Sequence, residues 1–154
     1  MNPDEMITEL KLVLPPVPKA AGLYKPVLMQ GDLVYFSGHL PILSDGSMIT
    51  GRVGTELSIE EGAAAARHIG LSVLSSLKEK LGSLNQISRL VKLLGMVNAP
   101  SSFSEHPKVI NGCSELFREI WGEDLGVGVR SAFGVSGLPG NASVEIEGIF
   151  QLAQ

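Results

Sequence analysis

The chain has one cysteine, Cys113, in 154 residues, with few aromatics, no excess of positive charge and no long apolar run. A lone cysteine cannot close an intrachain disulfide, and Cys113 stands in no CxxC or Cys/His cluster, which removes the usual zinc patterns. It reads as a small buried hydrophobe on a helix. No stretch approaches the ~20 apolar residues that cross a bilayer, so no membrane association is expected. The opening MNPDEMITEL lacks the basic-then-apolar order of a signal peptide, and the expected location is cytoplasmic. Twelve Lys and Arg against sixteen Asp and Glu give a net charge of −4. That balance disfavours nonspecific nucleic-acid binding, which depends on many cation–phosphate contacts. His39, His68 and His106 are scattered without metal-ligand spacing, so no metal is expected. Residues 46–54 are glycine-rich but lack the spacing of a phosphate-binding loop.

What is present is one globular domain's worth of apolar residues, 44% of the chain. Residues 3–13 have the apolar spacing of a short amphipathic helix, which three prolines in LPPVP then end. Residues 1–19 are taken as an N-terminal extension and 20–154 as the domain. The runs 27–30 and 33–37 read as strands around a Gly31-Asp32 turn. Ser58 followed by Glu61 is a capping box, and Ile59, Ala63, Ala66, Gly70, Val73, Leu77 and Leu81 continue at helical spacing until Gly82. Residues 88–98 read as a strand ended by Ala99-Pro100. A second helix is expected over 106–121, with Gly122 as its stop. The order implies an α+β fold, a mixed sheet with two helices packed on one face. The other sheet face carries apolar residues too, and another copy of the chain is the economical cover for it.

Strands over 129–135 and 144–150, joined by a Gly/Pro/Asn turn, read as a closing hairpin. Matching their apolar faces places Arg130 beside Glu145 or Glu147, on the face away from the helices. The structural reading is a cross-strand ion pair worth ~0.2–1 kcal/mol. The functional reading is an arginine that grips a carboxylate with its planar fork, beside an acid that orients water.

The segment R130-SAFGVSGLPGNASVEIE-E147 resembles the C-terminal signature of the YjgF/RidA superfamily, and G22-LYKPVLMQGDLVYFSGHLP-P41 resembles that family's tyrosine-containing first segment and its strand end. The likeness spans roughly residues 20–153, with the added length of the superfamily's longer branch. It implies a chorismate-mutase-like fold and a homotrimer with sheets inside, helices outside and clefts between subunits. It also implies hydrolysis of 2-aminoacrylate-type enamines and imines to a 2-oxo acid and ammonia, without any cofactor. Carried over residue by residue, Arg130 matches the arginine that binds the substrate carboxylate, and Glu145 the acid that holds the attacking water. Tyr24, Ser37 and Gly38 match residues lining the cleft. Ala132 stands where many members have a cysteine, and His39 where the short members have glutamine; both bear on the substrate side chain. Two other functions remain open: a non-catalytic trimer that binds small carboxylates or a partner, and a ribonuclease or translation inhibitor. The acidic chain, with no basic stripe or stacking platform, speaks against the last.

Overall fold

A computed structural model describes all 154 residues. The elements, in order, are α1 (Pro3–Glu9), β1 (Val27–Gln30), β2 (Leu33–His39), α2 (Ile59–Leu81), β3 (Ile87–Asn98), α3 (His106–Leu125), β4 (Val129–Val135) and β5 (Val144–Leu152). They form one mixed five-stranded sheet, ordered β1-β2-β5-β3-β4, with the helices packed on one face. This is the expected α+β class, with α1 as a third, short helix.

The local signals correspond to what forms. The Ser58–Glu61 capping box closes in both directions, satisfying the first free amides of α2, and Gly82 caps its end at φ 83°. Gly31 takes φ 61° in the tight turn of the β1–β2 hairpin, which pairs Val27 with Phe36 and Gln30 with Leu33. α3 passes the expected stop: Gly122 turns left-handed at φ 87°, and the helix resumes to Leu125. On the inner face Phe150 of β5 meets Phe117 and Trp121 of α3, with ring centroids 5.3 and 5.2 Å away. Phe150 and Phe117 are fully buried, and such a side chain contributes about 1.5–3 kcal/mol. Cys113 is fully buried at the α2–α3 contact, and burial pushes its thiol far up.

The closing hairpin does not form. β4 pairs in parallel with β3, Arg130 opposite Leu93 and Ala132 opposite Gly95. β5 is antiparallel to both β3 and β2, so it lies inside the sheet with β3 between it and β4. The cause is the connection between β3 and β4. A strand, a long crossover helix (α3) and another strand return the chain parallel, and α3 has room to pack only on the inner face. β4 is thereby an edge strand, and residues 136–143 carry the chain over the end of β3 instead of making a two-strand turn.

Candidate functional site

Two groups of the expected site residues lie in different places. The first is at the end of β2. Between Phe36 and His39 the pairing with β5 shifts by one residue, a bulge that turns Ser37 and Gly38 outward and returns His39 to the helix side. The Glu145 side chain lies directly over Gly38, so close that a Cβ there would fall 2.1 Å from Oε2. Glycine is needed to admit the carboxylate. Glu145 is half-buried on the outer sheet face; burial first, and the charge of Glu147 second, raise its pKa above the usual carboxylate range. Ser37 faces the same side, its hydroxyl donating to the Lys25 carbonyl at 2.5 Å. Tyr24 is half-exposed, its hydroxyl accepting from the Ala21 amide at 3.2 Å. Tyr24, Gly38 and His39 line a common crevice of about 50 Å³.

His39 turns its ring away from this group. It is 4% exposed and lies among α2 side chains, with Nδ1 2.7 Å from the Ser37 carbonyl and Nε2 2.8 Å from Ser76 Oγ. A carbonyl can only accept, so Nδ1 carries the proton and Nε2 accepts from the Ser76 hydroxyl. Burial lowers the His39 pKa and keeps the ring neutral. Both ring nitrogens are therefore occupied within the fold.

The second group is on β4. Arg130 shares its row with Leu93 and Gly148, both on the inner face, so its side chain points towards α3 and not away from the helices. This reverses the orientation expected from the hairpin. A charge beneath a helix layer is costly, but an edge strand lets the guanidinium reach the rim, where it is part-exposed. There Nη1 donates to Asn111 Oδ1 at 2.8 Å and to Ser114 Oγ at 3.0 Å, and Nη2 to the Pro107 carbonyl at 3.5 Å. None of the chain's ion pairs includes Arg130. Partial burial lowers its pKa, yet an arginine stays cationic at neutral pH. Ala132, on the same face, packs against the edge of the core.

Within one protomer Arg130 and Glu145 are thus three rows and two strands apart, roughly 14 Å between Cα atoms, and on opposite faces. The sheet presents a half-buried cation on its β4 edge and, on the other face, a half-buried carboxylate on its central strand, β5. On the outer face, over β1, β2, β5 and β3, lies a cavity of about 490 Å³, lined by Lys25, Leu28, Tyr35, Lys92, Glu147 and Ile149 among others. No three His, Cys, Asp or Glu side chains converge to hold a metal ion. No helix is long and apolar enough to cross a membrane.

Residues 5–146 match the family profile described as "YjgF/chorismate_mutase-like, putative endoribonuclease". The chain belongs to the YjgF/chorismate mutase-like family. "Protein TCP17" of Trypanosoma cruzi is 37% identical over 146 residues, 95% of this chain and 91% of that protein. A structure described as "a putative endoribonuclease from shewanella oneidensis" superposes with a TM-score of 0.93 at 31% identity, covering 99% of this chain and all of the other. A RidA from an Antarctic Psychrobacter is more distant, with a TM-score of 0.60 and 26% identity over 88% of this chain and 93% of its own. For a YjgF-like chain, the sequence reasoning overlooked Asn111 and Ser114, the partners of Arg130. Their spacing on one face of the helix that joins β3 to β4 was the available signal.

Proposed function

We propose that this YjgF-like protein hydrolyses reactive enamine and imine intermediates of the 2-aminoacrylate type, acting as a homotrimer with its clefts between subunits. The observation that carries the reading is the separation of two unpaired groups. Arg130 is a cation without a carboxylate partner at one sheet edge, and Glu145 a half-buried acid on the opposite face. A site that uses both takes them from two copies. The outer face has the composition for such packing, with Leu28, Tyr35, Val129 and Phe133 all more than 40% exposed.

In the proposed cleft Arg130 of one subunit binds the substrate carboxylate, while Glu145 of the next lies beside the imine carbon, with Tyr24, Ser37 and Gly38 forming the wall. His39 serves through its backbone, and Ala132 leaves space for the substrate side chain. The imine tautomer, R–C(=NH)–COO⁻, already has an electrophilic carbon, so the chemistry needs positioned water and no cofactor. Glu145 takes a proton from water as the water oxygen bonds to that carbon and passes it to the imine nitrogen, giving the carbinolamine. It then takes the carbinolamine hydroxyl proton and delivers it to the amine as the C=O bond forms. The C–N bond breaks, and the products are a 2-oxo acid and ammonia. A carboxyl group with a raised pKa suits both transfers near neutrality.

The test generates 2-aminoacrylate in situ by enzymatic β-elimination from serine and follows the excess rate of pyruvate formation. Wild type should accelerate it, while Arg130→Ala and Glu145→Gln should each lower the rate by at least about 100-fold. Glu145→Gln should keep its affinity for pyruvate. Light scattering should give three times the 16.3 kDa chain mass. If wild type binds carboxylates but never accelerates the reaction, the protein is a carboxylate-binding trimer.

A further inference from the structure

The surroundings of Arg130 determine which edge of its guanidinium a ligand can use. Arginine has five N–H donors, one on Nε and two on each Nη. Asn111 Oδ1 and Ser114 Oγ take both Nη1 hydrogens, and the Pro107 carbonyl, at the long end of hydrogen-bonding distance, takes one from Nη2. Two donors remain, Nε–H and the second Nη2–H. They point the same way from one side of the group, the fork that matches the two oxygens of a carboxylate. The end-on approach across both Nη atoms is closed by Asn111 and Ser114.

Every acceptor around Arg130 is neutral, as is the partner of the Arg52 side chain, whereas Arg67, Arg89 and Arg118 each meet a carboxylate. Arg67 is paired in bidentate fashion with Glu119, at 3.2 and 3.1 Å. Glu115 follows Ser114 directly and lines the same groove, yet forms no ion pair with Arg130. The guanidinium is oriented while its charge stays uncompensated. Asn111 and Ser114 themselves are three residues apart on one turn of α3, and that turn is anchored by the buried Ile110 and Cys113. The cradle therefore exists before any ligand arrives, which lowers the ordering cost of binding.

We infer that Asn111 and Ser114 are positioning residues that hold Arg130 with its Nε/Nη2 edge open for side-on bidentate binding of a carboxylate. This deepens the proposed function and rests on Arg130 being the carboxylate site. The test titrates pyruvate into the full chain and follows the Arg130 Nε–H signal by ¹H–¹⁵N NMR, assigned by its loss in Arg130→Lys. Pyruvate should shift that signal in wild type. Asn111→Ala and Ser114→Ala should each weaken binding by about tenfold, the loss of one hydrogen bond to a charged group. Asn111→Asp preserves shape but sets a carboxylate against Nη1, and should weaken binding by about 100-fold. Ser114→Thr keeps the hydroxyl and should bind within about threefold of wild type. Thermal melts identify any variant that fails to fold, and Asn111→Asp is the variant that decides the matter. If Arg130→Ala abolishes binding while Asn111→Asp and Ser114→Ala bind like wild type, the positioning role is wrong and the carboxylate site stands. If pyruvate leaves the Nε–H signal unmoved in wild type, or Arg130→Ala binds normally, the carboxylate site itself is wrong and the positioning role falls with it.

Discussion

Gly38→Ala separates the stability of this fold from its chemistry. Gly38 lies outside the left-handed region, so alanine adds no backbone strain, and its smaller unfolded-state entropy even favours the folded chain by ~0.4–1 kcal/mol. The added Cβ would instead meet Glu145, at 2.1 Å from Oε2, 2.8 Å from Cδ and 3.1 Å from Cγ. Ordinary contact requires about 3.5 Å, so the carboxylate must withdraw by more than about 1 Å. It is the far end of a flexible side chain, and an off-rotamer torsion costs about 0.5–1.5 kcal/mol. The two stability effects nearly cancel, and urea denaturation should place the variant within about 1 kcal/mol of wild type. Catalysis is far less tolerant, since a misplacement of 1 Å can slow a positioned reaction about 100-fold. Turnover of 2-aminoacrylate should fall by that factor, with pyruvate affinity at Arg130 little changed. Full activity in Gly38→Ala would refute the argument that the carboxylate works from its place above Gly38. A collapse in stability would refute the claim that the contact is soft.

Gly112→Ala should behave in the opposite way. A Cβ there falls 1.9 Å from the Ala63 carbonyl oxygen and 2.8 Å from its carbon, and helix backbone cannot swing aside. The two helices must separate, and a loss of about 3 kcal/mol or more in urea unfolding is expected despite alanine's better helix propensity. His39 gives a pH signature. Its folded pKa is lowered by burial, so below the ordinary 6.5 the unfolded chain binds the proton that the folded chain refuses. Stability should therefore fall as pH drops below 6.5, and His39→Gln should flatten that part of the thermal-melt profile. Parallel profiles for the two proteins would show that the buried ring is not held neutral.

Several elements were legible because short-range chemistry specifies them. The Ser58–Glu61 box, the spacing up to Gly82 and the Gly31-Asp32 turn each act within a few residues, and each forms as read. The long strand ending at Asn98 was recognisable from its length and the following Ala99-Pro100. Arg130 and Glu145 stood out because a charged residue amid apolar alternation is uncommon. Their relation was misread, since alternation reports which residues share a face within a strand and says nothing about which strand lies alongside. The strand–helix–strand order from 87 to 135 pointed to parallel pairing, but the turn residues at 137–141 pointed to a hairpin.

By itself, then, the order of residues determined the helices, the strands, the inner face of β5 and the presence of a cation and an acid in the closing segment. Those outcomes follow from backbone sterics, capping and apolar periodicity, all of which act locally. The tertiary structure alone decided that β5 enters between β2 and β3, that Arg130 turns under α3 to Asn111 and Ser114, and that Glu145 sits on Gly38 at the opposite face. These depend on how a crossover helix and a sheet bulge pack together, a competition among distant segments for the same buried surface.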